Sequence, residues 1–357
     1  MFVLEPLIES KKHNVRAARD RMPTMLKKLL LIILFVFPAF TSSAQPLHKD
    51  VERFIREVAA RHHFKVPALR QTMREARFQP SIIRAITTPA TTRPWSEYYP
   101  PFLTASRIEG GAQFWHEHKA ELARAERDFG VAPEIIVATI GVETLYGKNT
   151  GRYRVLDALA TLAFHYPRRG EFFRNELEQY LLLARETGFD PLTLKGSYAG
   201  AMGLGQFIPS SYRRYAIDFD GDGQINLWHP ADAIGSVANY YREYGWQHGA
   251  PVVLRAGAFD NDYQQFLQRD IKPQTTLAEF QSALVTVREP LPADTLATLF
   301  TLEAEDGLQY WLGLNNFYVI TRYNRSVFYA MTVHLLSQEI LRRRTEPMVE
   351  SNGDRPQ

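Results

Sequence analysis

"VATIGVETLYG", residues 137–147, is apolar at almost every position and carries one carboxylate, Glu143, near its end. Pro133 opens the run at a position that helices tolerate, and Gly147 closes it. A carboxylate avoids apolar surroundings unless it is paired or put to use. Desolvation at such a helix end raises a carboxyl pKa towards neutrality, which suits a general acid. Glu143 is therefore the candidate acid; the other reading is a capping or ion-paired glutamate.

Two stretches further along the chain bear on that choice. "KGSYAGAMGLGQFIPSSY", residues 195–212, is rich in glycine and small residues, so its backbone can approach another group closely. It has neither the dinucleotide-binding nor the Walker spacing, and read alone it fits close packing of a loop on a helix equally well. "DFDGDGQINLWHPAD" begins at Asp218. Counted as an EF-hand loop, Asp218, Asp220 and Asp222 take positions one, three and five. Gly223 falls where that loop turns sharply, and Gln224 can offer its backbone carbonyl. Position twelve is His229 and not a bidentate glutamate, so Asp232 becomes the substitute ligand. The reading is a structural Ca²⁺ site of modest affinity; the alternative is an Asx-rich turn without metal.

The whole chain sets bounds on these readings. It has 357 residues, enough for more than one domain or subdomain. Its net charge of +3 comes from scattered basic residues, which argues against nucleic acid as a partner. Cysteine is absent, which excludes disulfides, thiolate metal sites and a lipid anchor on cysteine. Aromatic residues make up 12%, a level that suits sugar stacking but also ordinary cores. Residues 1–44 read as an N-terminal extension and signal peptide: Lys27 and Lys28, the apolar run 29–40, then small residues around Ser42 and Ala44. A soluble periplasmic protein follows, or an inner-membrane signal anchor if the leader stays uncleaved.

Helical periodicity fills most of the remainder. It runs over 51–77, from about 105 to 128, through the stretch with Glu143, and over 167–186 and 229–246. After Pro251 the pattern turns to strands, in "PVVLRA" and in "TLFTLEAEDGLQYWLGLNNFYVITRYN", with a hairpin turn near Glu305–Gly307. Helix returns in "VFYAMTVHLLSQEILRR". This gives a helical domain over 45–130 that includes the returning helix 325–344, a core over 131–250, a small β-rich domain over 251–324, and a disordered tail over 345–357.

The ordered set "IGVETLYG", "GSYAGAMGLGQFIPSSY", "DFDGDGQINLW", "DAIGSVANYY" and "YWLGLNNFYVITRYNRS" resembles the lytic murein transglycosylase B family of the lysozyme-like superfamily. The resemblance covers roughly residues 50–340. It implies a mainly α protein: a lysozyme-like catalytic core with a helical domain, a small β domain and a calcium loop. It also implies cleavage of the MurNAc-β-1,4-GlcNAc bond of peptidoglycan without water, giving 1,6-anhydroMurNAc ends. Glu143 matches the single acid/base. Ser197 and Gln206 match positions holding the N-acetyl group and the muramoyl sugar. Tyr98, Tyr240, Tyr323, Asn324 and Tyr329 match the glycan groove, with Tyr99 as the alternative to Tyr98. Glycan strands are the implied partner, with cell-wall synthesis or division proteins as further candidates. The rival readings are a muramidase, which would add a second carboxylate, and a non-catalytic calcium-dependent peptidoglycan-binding module.

Overall fold

The structure is a computed structural model that describes residues 48–88, 93–258, 261–267, 271–283, 285–287 and 291–345. The extension and leader read over 1–44 lie outside the described residues, as does the tail beyond Thr345. The N-terminal part contains α1 (Lys49–His62), α2 (Val66–Arg74), α3 (Pro80–Thr87), a short α4 (Trp95–Tyr98), α5 (Ala105–Glu117) and α6 (Lys119–Phe129). The single helical stretches expected over 51–77 and 105–128 are each two helices. His63 and His118 end the first helix of each pair.

The middle of the chain holds α7 (Pro133–Thr144), β1 (Tyr153–Arg154), α8 (Val155–His165), α9 (Gly170–Thr187), β2 (Lys195–Gly196), α10 (Pro209–Tyr215) and α11 (Pro230–Glu243). Helix α7 is apolar all round because it is buried all round: the residues from Ile135 to Thr144 are all enclosed. Its neighbours include α5, α6, α11 and the C-terminal helix. The small β1–β2 ribbon pairs Tyr153 with Gly196 and brings the glycine-rich stretch alongside the chain that follows Gly147.

A five-stranded antiparallel sheet follows, from β3 (Val253–Ala258), β4 (Thr275–Thr276), β5 (Val285–Val287), β6 (Leu296–Ala304) and β7 (Gly307–Gly313), in the order β4-β6-β7-β3-β5. Helix α12 (Leu277–Ser282) lies between β4 and β5. The hairpin β6–β7 turns at Glu305 and Asp306, where the strand pattern placed it. One side of the sheet closes a small core of Leu254, Ala256, Phe280, Leu299 and Leu312. Val253, Phe300 and Leu302 belong instead to the main core.

One secondary-structure reading is corrected. "NNFYVITRY" was expected to continue the strands, but it forms helix α13 (Asn315–Tyr323), so the strands end at Gly313. Its aromatic and β-branched residues favour a strand locally. Tertiary bonds decide otherwise. Asn316 Nδ2 donates to the carbonyls of Gln247 and Ala250, and its Oδ1 accepts from Gln247 N at 2.8 Å. Phe317 stacks on Phe300 with ring centroids 4.7 Å apart. The last helix, α14 (Val327–Thr345), returns to pack on α5 and α7.

Candidate active site

Glu143 sits in the last turn of α7, and the sequence fixes where that turn stops. Leu145 and Tyr146 both adopt left-handed backbone (φ 51° and 58°), and the Leu145 N–H closes the helix on the Gly141 carbonyl at 3.1 Å. Tyr146 then folds back beneath α7, and its hydroxyl donates to the Arg107 carbonyl at 2.8 Å. Position 141 must be glycine for this, since a Cβ there would lie 2.5 Å from the Tyr146 hydroxyl. Of the four described non-glycine residues with left-handed backbone, three surround this site: Leu145, Tyr146 and Gln206. Such conformations cost about 1–3 kcal/mol each and persist where the surroundings over-determine them.

The glycine-rich loop is fastened to this helix end from two sides. Thr144 Oγ1 donates to the Leu204 carbonyl at 2.9 Å, and the Tyr323 hydroxyl donates to the Gly205 carbonyl at 2.5 Å. A side chain at 205 would press on that hydroxyl at 2.9 Å. The loop is thereby clamped between α7 and α13. Gln206 donates both N–H groups of its amide, to the carbonyls of Thr150 and Gly203. Its Oε1 is left as the acceptor. Ser197 Oγ accepts from Ala201 N at 3.1 Å and keeps its own proton to donate.

Glu143 is buried, and burial pushes its pKa from the ordinary 4.5 up to about 7. The Tyr329 hydroxyl, in α14, opposes that rise by donating to Glu143 Oε1 at 2.7 Å. The groups that feel the charge of Glu143 are tyrosines: Tyr98, Tyr241, Tyr323 and Tyr329, each raised by burial first and by the carboxylate second or later. No carboxylate acts on Glu143 among the described residues. Asp157, at the start of α8, is held by Arg154 at 2.7 and 2.9 Å and by Arg77 N at 2.9 Å. Buried Glu176 caps α10 through Ser210 N and Oγ.

The positions matched to the groove divide by what their hydroxyls do. Tyr98 is the one of the 98/99 pair that senses Glu143; its neighbour Tyr99 stacks on Trp95 at 4.7 Å. Tyr240 donates to the Arg322 carbonyl at 2.6 Å and Tyr323 to Gly205, so both hydroxyls are already committed as donors. Asn324 lies in the turn between α13 and α14, its carbonyl accepting from Ser326 N at 2.7 Å. The sequence reading passed over Tyr241. Its buried hydroxyl lies 2.8 Å from Thr139 Oγ1, one turn before Glu143 on the same helix. Its adjacency to Tyr240 in "NYY" was the available signal, but a sequence does not say which of two neighbouring tyrosines faces inward.

The aspartate loop closes on itself. Asp218, Asp220 and Asp222 each present a carboxylate oxygen, all within 4.8 Å of one another. Asp218 accepts from Gly221 N and Gly223 N, and Asp222 from Gln224 N, at 2.7–2.8 Å. Asp232 does not join this trio. It is buried in the first turn of α11 and takes Phe219 N and Asn226 N at 2.7 Å each, tying the loop ends together. His229, at the place of the usual glutamate, has Nδ1 2.9 Å from Asp220 Oδ2.

Residues 46–338 match the family described as transglycosylase SLT domain. The chain belongs to this family. It is an enzyme of the lytic transglycosylase type. It is 44% identical over 301 residues to the membrane-bound lytic murein transglycosylase B of Escherichia coli (strain K12), a match covering 82% of each protein. One similar solved structure is SltB1 of Pseudomonas aeruginosa, a catenated lytic transglycosylase. It is 48% identical, superposes with a TM-score of 0.80, and the match covers 84% of this chain and 99% of that one. The Escherichia coli lytic transglycosylase Slt35 in complex with calcium is 43% identical, with a TM-score of 0.77 over 84% of this chain and 94% of that one. Among the described residues, no helix is long and apolar enough to cross a membrane.

Proposed function

We propose that the enzyme cleaves the MurNAc-β-1,4-GlcNAc bond of peptidoglycan with Glu143 as its single acid and base. The observation that carries this is a solitary carboxyl group, buried and raised to about 7, ringed by tyrosines and with no second carboxylate acting on it among the described residues. Most hydrolytic glycosidases use a carboxylate pair. With one, the second nucleophile comes from the substrate. Protonated Glu143 gives its proton to the glycosidic oxygen as the bond from C1 breaks. The N-acetyl carbonyl oxygen of the muramoyl sugar bonds to C1 and takes up the developing positive charge. Glu143, now a carboxylate, accepts the proton of the C6 hydroxyl as that oxygen displaces the acetamido oxygen from C1. The product is a 1,6-anhydro sugar, the N-acetyl group is restored, and Glu143 ends as it began.

The flanking loop suits this route. An acetamido group has one acceptor and one donor. Ser197 holds a proton to donate, and Gln206 presents a carbonyl oxygen to accept. Tyr98, Tyr240, Tyr323, Asn324 and Tyr329 supply the walls of the groove. Asp218, Asp220, Asp222 and the Gln224 carbonyl fit a hard cation such as Ca²⁺, with Asp232 behind them fixing the loop. The ion would be structural, since these oxygens leave the chemistry to α7. The enzyme acts in the periplasm on this reading, delivered there by the leader at 1–44.

Digestion of purified sacculi in heavy-oxygen water tests the route. The expected product is unlabelled anhydromuramoyl ends, because the ring closes on its own hydroxyl. Labelled reducing muramic acid as the main product would overturn it.

A further inference from the structure

A cavity of about 300 Å³ lies between α1, the chain joining α2 to α3, and α8. None of its lining residues belongs to the Glu143 site. Val51, Met73 and Phe164 give it apolar walls. Phe78 also lines it and is 52% exposed, more than any other large apolar side chain among the described residues. The exposed imidazole of His165 lies against the Phe78 ring, with centroids 4.4 Å apart, and supports it. Thr161 and Arg77 supply donors. The Thr161 hydroxyl is buried, accepts from Gln79 N at 3.1 Å, and its own proton meets no acceptor among the described residues. The Arg77 guanidinium is exposed and pairs with no carboxylate among the described residues. No acidic side chain among them lines the cavity.

A cavity of this size, mostly apolar with a few polar groups, has the make-up of a small-ligand site. Its chemistry narrows the ligand. An unmet buried donor costs free energy, so the ligand brings an acceptor oxygen to Thr161. It also brings an apolar group to the walls and a flat face to Phe78. A fatty chain would fill the walls and leave the Thr161 proton unmet. A bare anion would meet the donors and not the walls. An N-acetylated sugar meets all three demands: its methyl group is apolar, its carbonyl and hydroxyl oxygens accept, and the C–H face of its ring packs on an aromatic ring. We propose that this cavity is a secondary site for one N-acetylated sugar of a glycan strand, outside the Glu143 site and with no part in the chemistry. This rests on the peptidoglycan reading above and adds a second point of attachment for the polymer. Helix α8 fixes the second point relative to the first, because it follows directly on β1, which pairs with the strand leading into Ser197. Two attachments to one polymer raise retention without any new contact at the bond that breaks.

The test titrates chitotetraose, a β-1,4-linked tetramer of N-acetylglucosamine, into the full chain carrying Glu143→Gln and follows backbone amides by NMR. Two sets of shifts are expected. One surrounds Ser197 and Gln206; the other covers residues 77–78 and 161–165 and has its own titration curve. Phe78→Ser should abolish the second set and leave the first, with the rest of the spectrum unchanged because Phe78 is exposed. His165→Ala should weaken the second set. Retention of the Glu143→Gln protein on purified sacculi should fall roughly tenfold with Phe78→Ser, the loss of one aromatic face. Shifts around Ser197 and Gln206 alone would overturn the secondary site and leave the peptidoglycan reading standing, as would a second set that survives Phe78→Ser. No shifts at either place would overturn both.

Discussion

Glu143 and the aspartates at 218, 220 and 222 carry the same functional group in opposite surroundings. Glu143 is alone, buried at an apolar helix end, with one hydroxyl donating to it. The aspartates are gathered within 4.8 Å and wrapped in backbone N–H groups at a loop. Isolation in low dielectric makes a carboxyl group hold its proton until about neutral pH; at Asp218 the backbone N–H donors outweigh desolvation and hold the pKa below its ordinary value, leaving a carboxylate ready for a cation. One helix joins the two regions. The first turn of α11 carries Asp232, which ties the loop, and its last turn carries Tyr241, which lies against the helix of Glu143. Along α11, Ser236 accepts from Ile217 N and Asn239 donates to the Tyr215 carbonyl, which ties the chain leading into the loop to the helix.

The largest effect that can break the comparison is at Glu143. Glu143→Gln keeps the shape and the acceptor for Tyr329 but removes the transferable proton. Turnover of sacculi should fall by roughly 10² to 10⁴-fold, measured as release of soluble anhydromuropeptides. A variant that works at near the parent rate would make Glu143 a structural residue. In the parent, kcat/KM should decline as pH rises through about 7, where Glu143 loses its proton. Stability should behave the other way round from an ordinary paired carboxylate. The folded pKa lies above the unfolded one, so ionisation opposes folding. This penalty is absent below about pH 4.5, grows up to about 7 and is complete above. Glu143→Gln should therefore match the parent at acid pH and exceed it above neutrality by up to about 3 kcal/mol. Denaturant melts at both ends of that range will show it.

The aspartate loop should respond to the metal and not to this proton. Calcium at a hundredfold excess over its dissociation constant should stabilise the parent by about 2.7 kcal/mol. Asp220→Ala together with Asp222→Ala should erase that gain. Identical thermal melts of the parent in calcium and in chelator would leave the loop as an Asx-rich turn and end the comparison.

The smallest effect sharpens it. Ser197→Ala removes one donor aimed at substrate and leaves the acid untouched. It should cost roughly 0.5–1.5 kcal/mol in transition-state binding, up to about tenfold in rate, with the alkaline limb of the pH profile unmoved. A shifted limb in steady-state kinetics would mean that Ser197 acts on Glu143 and not on the sugar.

What the sequence determined by itself was local. The stop of α7 after Glu143, the alternating aspartates around Gly221 and Gly223, and the β6–β7 hairpin all rest on contacts a few residues apart, which spacing encodes. The tertiary structure alone decided what crosses the chain. Tyr329 reaches Glu143 across 186 positions and Tyr323 reaches Gly205 across 118. The family resemblance named both positions, but not that one hydroxyl meets the acid while the other holds the loop. The reading of 315–323 as strand failed for the same reason: its side chains favour a strand, and Asn316 overrides them through bonds to a segment nearly seventy residues earlier. The isolation of Glu143 was equally illegible. Burial and the absence of a counter-ion belong to the packed assembly, where desolvation is set by everything around a group, and no window of sequence contains that sum.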